Sequence, residues 1–111
     1  MNAEDIRNFV LSVGEVTEGF PFGEELLVMK TNNKMFLILP LQTYPLQFNA
    51  KCDPEKAIQW REDYPNSVLP GYHMNKKHWN TVIIDGKLSV KQIKEMIKDS
   101  YDLVKMKIKK G

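Results

Sequence analysis

With 111 residues, the chain is long enough for one domain around a single hydrophobic core and too short for two. Hydrophobic residues at 42% and charged residues at 27% lie near the globular average, which excludes a disordered or fibrous chain. The net charge of +2 hides an asymmetry, because residues 1–25 carry one arginine against six acids and residues 87–111 carry eight lysines against three acids. A basic end can attract phosphates, although lysine-rich helix faces are also common as solvated surface.

Cys52 is the only cysteine, which excludes an intramolecular disulfide and a multi-cysteine zinc site and fits a reducing compartment. The first ten residues, MNAEDIRNFV, are acidic and polar, unlike the basic start of a signal peptide. No apolar stretch approaches the roughly 20 residues that a membrane helix needs. We therefore expect a cytoplasmic protein that is neither exported nor membrane-spanning.

The first predicted element is a helix with Asn2 as its N-cap, and it ends at Gly14. Its apolar residues, from Ile6 onwards, recur at helical spacing. The following stretch EGFPFGEE is rich in glycine and proline, which indicates an irregular loop. Phe20 and Phe22 are expected to anchor this loop on the core.

Three strands are predicted next. The apolar runs 26–30 and 35–40 form a hairpin, because Asn32 and Asn33 between them tolerate the positive φ of a tight turn. Residues 46–51 alternate between apolar and polar side chains, the pattern of a strand with one buried and one solvated face. The solvated face of that strand consists of Gln47, Asn49 and Lys51.

A second helix begins after Asp53, with Pro54 at its first position, and ends before Pro65. Residues 67–73 are extended or form a brief strand, and residues 79–85 form a strand rich in β-branched side chains.

The last helix starts at a capping box of Ser89 and Gln92. The predicted elements follow the order α-β-β-β-α-β-β-α. This order predicts one α+β domain over residues 1–111, in which helices cover one face of an antiparallel sheet. The other face is then available for binding. The apolar stripe of the last helix consists of Val90, Ile93, Ile97, Tyr101, Val104 and Ile108.

The connection PGYHMNKKHWNTV, residues 70–82, is the strongest candidate for function. His73 and His78 are five positions apart, which misses the i, i+4 spacing of a helical metal site, and no carboxylate lies between them. An enzyme would use these histidines with Tyr72 or Cys52 as base or nucleophile, but no catalytic motif accompanies them. We expect no cofactor, no metal and no enzymatic activity.

Nucleic-acid contact fits the residue types of this connection better. Its lysines, asparagines and histidines supply donors to phosphates and bases, while Tyr72 and Trp79 supply flat faces for stacking. The alternative is an exposed turn whose aromatic residues anchor on the core, and for Trp79 the core is the favoured place. The donors are Asn75, Lys76, Lys77, His78 and Asn80.

Several stretches, in order and spacing, resemble the MmcQ/YjbR-like family of small bacterial proteins, and the resemblance covers essentially the whole chain. Its most specific part is H-x-N-K-x-H-W-N-T-V within residues 70–82. The other stretches are FPFG (20–23), KMF (34–36), KCDPE (51–55), the Asp85-Gly86 turn and SYDLV (100–104).

The resemblance implies a frataxin-like (CyaY-like) and secretion-chaperone-like α+β arrangement. Family members are described as DNA-binding proteins with a "double wing", and no enzymatic activity comes with the family. The expected partner is DNA, bound by a monomer; a protein-interaction or chaperone-like module that uses the solvated sheet face is the alternative. The implied nucleic-acid contacts are His73, Asn75, Lys76, Lys77 and His78 in the loop, with Lys51 and Asn49 beside them.

Overall fold

A computed structural model describes residues 1–105, so Ile108 of the predicted stripe lies outside the described residues. These residues form three helices and six strands. The helices are α1 (Ala3–Ser12), α2 (Pro54–Asp63) and α3 (Val90–Val104). The strands are β1 (Thr17–Gly19), β2 (Leu26–Thr31), β3 (Lys34–Pro40), β4 (Leu46–Lys51), β5 (Val68–Pro70) and β6 (Trp79–Ile84).

The strands form one antiparallel sheet in the order β1-β2-β3-β4-β6-β5. The predicted α+β class and element order are confirmed, with β1 as an addition at one edge. The prediction of an irregular loop was wrong for Glu18 and Gly19, which pair with β2. Pairing with a neighbouring strand here outweighs the local signal of glycine and proline.

Local sequence signals account for the ends of the helices. The side chains of Asn2 and Ser89 accept hydrogen bonds from the third backbone amide of α1 and α3, and both form capping boxes. Asp53 accepts hydrogen bonds from the first turn of α2, with Pro54 next to it. All three predicted N-caps are confirmed.

The predicted hairpin is confirmed, and both of its turn residues are left-handed. Asn32 has φ 54° and Asn33 has φ 59°, as a two-residue turn between twisted strands requires. Further along the hairpin the register shifts at Met29/Lys30, so Phe36 has no direct partner. This irregularity lets both Phe36 and Leu37 enter the main core.

The main core lies between the helices and one face of the sheet. Ile6 and Val10 of α1 pack there against the bulged part of β3. The stripe prediction was wrong for Val90, which is exposed; the stripe residues of α3 that lie in this core are Ile93, Ile97, Tyr101 and Val104. The hydroxyl of Ser100 donates a 2.7 Å hydrogen bond to the carbonyl of Phe36, which satisfies a buried acceptor next to the bulge. Helix packing on a single face is therefore as predicted.

The second face of the sheet is less open than the alternation of β4 indicates. Val28, Ile38 and Trp79 form a buried apolar cluster on it, and Met74 from the connection between β5 and β6 packs against them. We name residues 71–78 the 71–78 loop. The expectation of a free polar face is wrong for the middle of the sheet, because this loop folds back over it.

The expectation that Phe20 and Phe22 anchor on the core is also wrong. Their side chains are 49% and 60% exposed. Tight turns, in which the amide of Gly23 donates to the carbonyl of Phe20 and that of Leu26 to Gly23, carry them away from the core. Among the described residues, no helix is both long and apolar enough to cross a membrane.

Candidate nucleic-acid interface

The strand register brings several cationic residues to one end of the sheet. Thr31 faces Lys34 across the hairpin, and Lys51 of β4 faces Trp79 of β6. These pairs lie at the same end because β2 and β4 run in the same direction in the antiparallel sheet. We name this end, with Lys34, Lys51, Lys77 and His78, the lysine end.

Lys34, Lys51 and His78 line one cleft of about 320 Å³ at the lysine end. Leu103 and Val104 at the end of α3 form its apolar wall, and Asp53, the N-cap of α2, also lines it. His78 is half-buried there, and its carbonyl accepts a 2.7 Å hydrogen bond from the amide of Cys52. That bond extends the strand pairing by one step and holds the 71–78 loop against β4.

The lysines of this end are free of ion pairs with other described residues. Residues 1–105 contain five ion pairs, and none of them includes Lys34, Lys51 or Lys77. Lys91 and Lys94 of α3 are also outside these ion pairs, whereas Lys98 and Lys105, at the end of that helix, both bind Asp102. Their charges hold the pKa of the Asp102 carboxyl below its usual value, chiefly through the hydrogen bond from Lys98. The basic charge available to an anion is thus at the lysine end rather than on that part of the last helix.

The 71–78 loop is held by hydrogen bonds at both ends and from the side. The amide of Gly71 donates to the carbonyl of Trp79 at 2.9 Å, and that of Tyr72 to the hydroxyl of Thr81 at 2.9 Å. A Cβ atom on Gly71 would lie 2.8 Å from that of Trp79, so only glycine allows this close approach. The guanidinium of Arg61 on α2 donates to the carbonyl of Lys76 at 2.8 Å. The loop is consequently a fixed part of the fold.

Three of the predicted contact residues have structural partners. Asn49 is buried, and its amide oxygen accepts a 2.6 Å hydrogen bond from Thr81, so we leave it out of the interface. The side chain of Asn75 accepts from the amide of Lys77 at 2.9 Å, which closes the turn before β6. The ammonium of Lys76 donates to the carbonyl of Gly71 at 3.1 Å. Asn75 and Lys76 are exposed, yet each also stabilises the loop.

The two aromatic residues of the connection have opposite environments. Trp79 is buried, as favoured from the sequence, whereas Tyr72 is 64% exposed. His73 is exposed beside Tyr72, and the ring centroids are 4.0 Å apart. Asn80, counted among the donors, is buried on β6 and donates to the carbonyl of Ala57.

Most acids of the first 25 residues lie away from the lysine end. Glu24 and Glu25 occupy the loop between β1 and β2, at the opposite end of the sheet, and Glu18 is paired with Arg7. Glu15 is the exception, since it lines a cleft of about 630 Å³ with Lys30 and the hairpin turn. An anion that approaches the lysine end therefore meets little of the acidic charge of the N-terminal segment.

Cys52 and the two histidines are the residues that metal or thiol chemistry would use first. Within residues 1–105, no three His, Cys, Asp or Glu side chains are grouped so that they could hold a metal ion. Cys52 is buried, and burial raises the pKa of its thiol to about 11. At neutral pH this side chain is a protonated thiol, which is a poor nucleophile.

Lys34 is the residue that sequence reasoning missed. It lies 17 positions before Lys51, on the exposed side of a hairpin turn, and shares no motif with the 71–78 loop. The predicted hairpin could have identified Lys34. Strand β3 leads away from the turn and β4 runs back, so a lysine next to the turn lies at the same end of the sheet as the last residue of β4. The cleft exists only once β3 and β4 pair.

The fold and this site define a small α+β domain with a helix-covered sheet and a fixed basic loop at one end. Residues 11–103 match the model of the family described as YjbR. The chain belongs to the YjbR family, which confirms the resemblance seen in the sequence.

Three relatives illustrate the match. The protein named uncharacterized protein YbdF, from Escherichia coli O157:H7, is 37% identical over 102 residues, which cover 91% of this chain and 82% of that protein. The crystal structure of Deinococcus radiodurans protein DR2400, with the family-model domain DUF419, is similar at a TM-score of 0.86 and 36% identity, over 93% of this chain and 78% of that one. A Pseudomonas syringae protein has a TM-score of 0.75 at 25% identity, over 95% of this chain and all (100%) of that one.

Proposed function

We propose that the protein binds DNA, without a catalytic step, through phosphate contacts made by the lysine end. The observation that carries the proposal is that Lys34 and Lys51 line one cleft with His78, the chain neighbour of Lys77, and that none of the three lysines forms an ion pair with another described residue. Ammonium groups already paired with carboxylates offer little to a phosphate, whereas unpaired ones release counterions from DNA when they bind. His78 adds a ring nitrogen in the same cleft.

Phosphate contacts of this kind predict binding that depends on salt and little on sequence. Each lost lysine contact should reduce the slope of log affinity against log salt by about 1. The combined variant Lys34→Gln, Lys51→Gln and Lys77→Gln should therefore bind DNA roughly 500-fold more weakly at 0.1 M salt, since three contacts with a slope of about 0.9 each amount to about 2.7 decades of affinity relative to 1 M salt. Fluorescence anisotropy of labelled DNA at several salt concentrations measures both quantities.

The matched control removes three lysines from the far end of the last helix. Lys87→Gln, Lys91→Gln and Lys94→Gln neutralise the same number of charges around the start of α3, a helix length away from the cleft residues Leu103 and Val104, so they should change affinity little. Equal losses in the two variants would mean that net charge alone governs binding and would remove the assignment to the lysine end. An unchanged affinity in the first variant would do the same.

A protein-interaction module is the second candidate, and exposed apolar side chains favour it. Phe20 and Phe22 lie in the loop 20–25, and Leu41 and Tyr44 in the loop 41–45, and all four side chains are at least 40% exposed. We name these two loops the aromatic end. Glu24 and Glu25 border it, so its partner would be a protein segment with apolar and basic side chains. Crosslinking to this surface should capture a protein partner of that chemistry. The partner should be lost with Phe22→Ser and retained with the combined substitution of Lys34, Lys51 and Lys77. The reverse result excludes this surface.

A further inference from the structure

Four side chains of the 71–78 loop and the adjoining strand form two pairs with different environments. Met74 and Trp79 pack on the second face of the sheet and complete its apolar cluster. Tyr72 and His73 are left outside, with Tyr72 64% exposed. Because the first pair already covers the cluster, the fold does not need the second pair for packing.

The exposed pair forms one aromatic surface. The ring centroids of Tyr72 and His73 are 4.0 Å apart, and their planes are inclined by 50°. Two adjacent rings of this kind offer π faces to a third aromatic group. The ammonium of Lys76 lies 3.1 Å from the carbonyl of Gly71, next to Tyr72 in the chain, so a positive charge accompanies the rings.

The backbone holds this surface in place at an energetic cost. His73 has φ 57°, in the left-handed region that residues other than glycine rarely adopt. The turn is closed by the amide of Met74, which donates to the carbonyl of Gly71 at 3.2 Å, and by the bond from Tyr72 to Thr81. Strained residues that the surroundings keep in place are concentrated at functional sites.

We propose that Tyr72 and His73 form a stacking platform for an unpaired base, so that the preferred ligand is single-stranded nucleic acid. This inference rests on the proposed function, since the lysine end supplies the phosphate contacts. Bases in a duplex are already stacked on their neighbours, whereas those of a single strand can lie on an aromatic side chain. Stacking is tolerant of sequence because every base has a π face.

The test compares three ligands by fluorescence anisotropy: a short oligothymidine, a duplex of the same length, and a strand of the same length in which the bases are absent. The protein should bind the oligothymidine more tightly than either of the others, because only that ligand has accessible bases. Tyr72→Ala should weaken binding to the oligothymidine roughly 10-fold, within the range measured for loss of one stacked base, and leave the duplex unchanged. Tyr72→Phe keeps the ring and should bind as the unmodified protein does.

The outcomes separate the two proposals. Equal binding of oligothymidine by the Tyr72→Ala and Tyr72→Phe variants, or preference for the duplex, overturns the platform and leaves the lysine end standing. Binding of all three ligands with equal affinity also overturns it. If no ligand binds even at low salt, the proposed function fails and the platform fails with it. Because Tyr72 is exposed, circular dichroism should show both variants folded.

Discussion

The lysine end and the aromatic end each contain a loop at one end of the sheet, yet only the loop of the lysine end is packed on the sheet. At the lysine end, the 71–78 loop buries Met74 against the second face and is held by Arg61. At the aromatic end, backbone hydrogen bonds such as that from Leu41 to Glu25 order the loops, while Phe22 is 60% and Tyr44 97% exposed. Backbone hydrogen bonds alone thus order the loops of the aromatic end. At the lysine end, buried side chains contribute the larger part of the free energy that holds the loop on the sheet.

Removing one aromatic side chain from each end should destabilise the protein very differently. Trp79→Ala should lower the free energy of unfolding by about 3 kcal/mol or more, because it empties a site that is only 7% exposed. Phe22→Ala should change it by less than about 0.5 kcal/mol. Urea denaturation measures both. Similar losses would mean that Phe22 contacts the core in solution.

A second test removes the cation that fastens the 71–78 loop to α2. Arg61→Met deletes the hydrogen bonds to the carbonyls of Lys76 and Ala57 and should destabilise the protein by about 1–2 kcal/mol. Amide hydrogen exchange should accelerate in the 71–78 loop and stay unchanged in the loop 20–25.

The matched control for Arg61 lies on the same helix. Gln59→Ala removes an exposed side-chain hydrogen bond to Asp63 and should leave exchange in the 71–78 loop as it was. If both variants accelerate exchange equally, α2 as a whole rather than Arg61 holds the loop.

The smallest expected effects come from the turn residues at the two ends. Asn33→Ala at φ 59° should cost about 1 kcal/mol, while Asn33→Gly should be neutral or slightly stabilising. Gly23→Ala at the aromatic end should cost a similar amount, because φ is 112° and nothing lies near the added Cβ. Thermal unfolding of the three variants checks this. A harmless Gly23→Ala would indicate that the loop 20–25 adjusts its backbone, which the hairpin turn does not.

Elements that depend on nearby residues were predictable. The caps at Asn2, Asp53 and Ser89 and the Asn32-Asn33 turn follow from side-chain and backbone preferences within a few positions. The strand β1 was not predicted, because its three residues gain their conformation from pairing with β2 rather than from their own preferences.

The candidate site was predictable only in part. The sequence identified the 71–78 loop and the burial of Trp79, but it counted Asn49 as accessible because a period of two in β4 marks that side as solvated. The sequence did not show where this loop lies. The loop folds over that side of the sheet and covers Thr81 and Asn49, which the pairing of β4 with β6 places opposite each other.

Periodicity, turn chemistry and motifs along the chain were enough to predict the helices, the hairpin, the class of fold and the family. That Lys34 joins Lys51 and His78 in one cleft, and that Phe22 is exposed, could be seen only in the folded protein. Strand pairing and loop packing join residues far apart in the chain, and the entropic cost of closing such loops is offset only in the assembled fold.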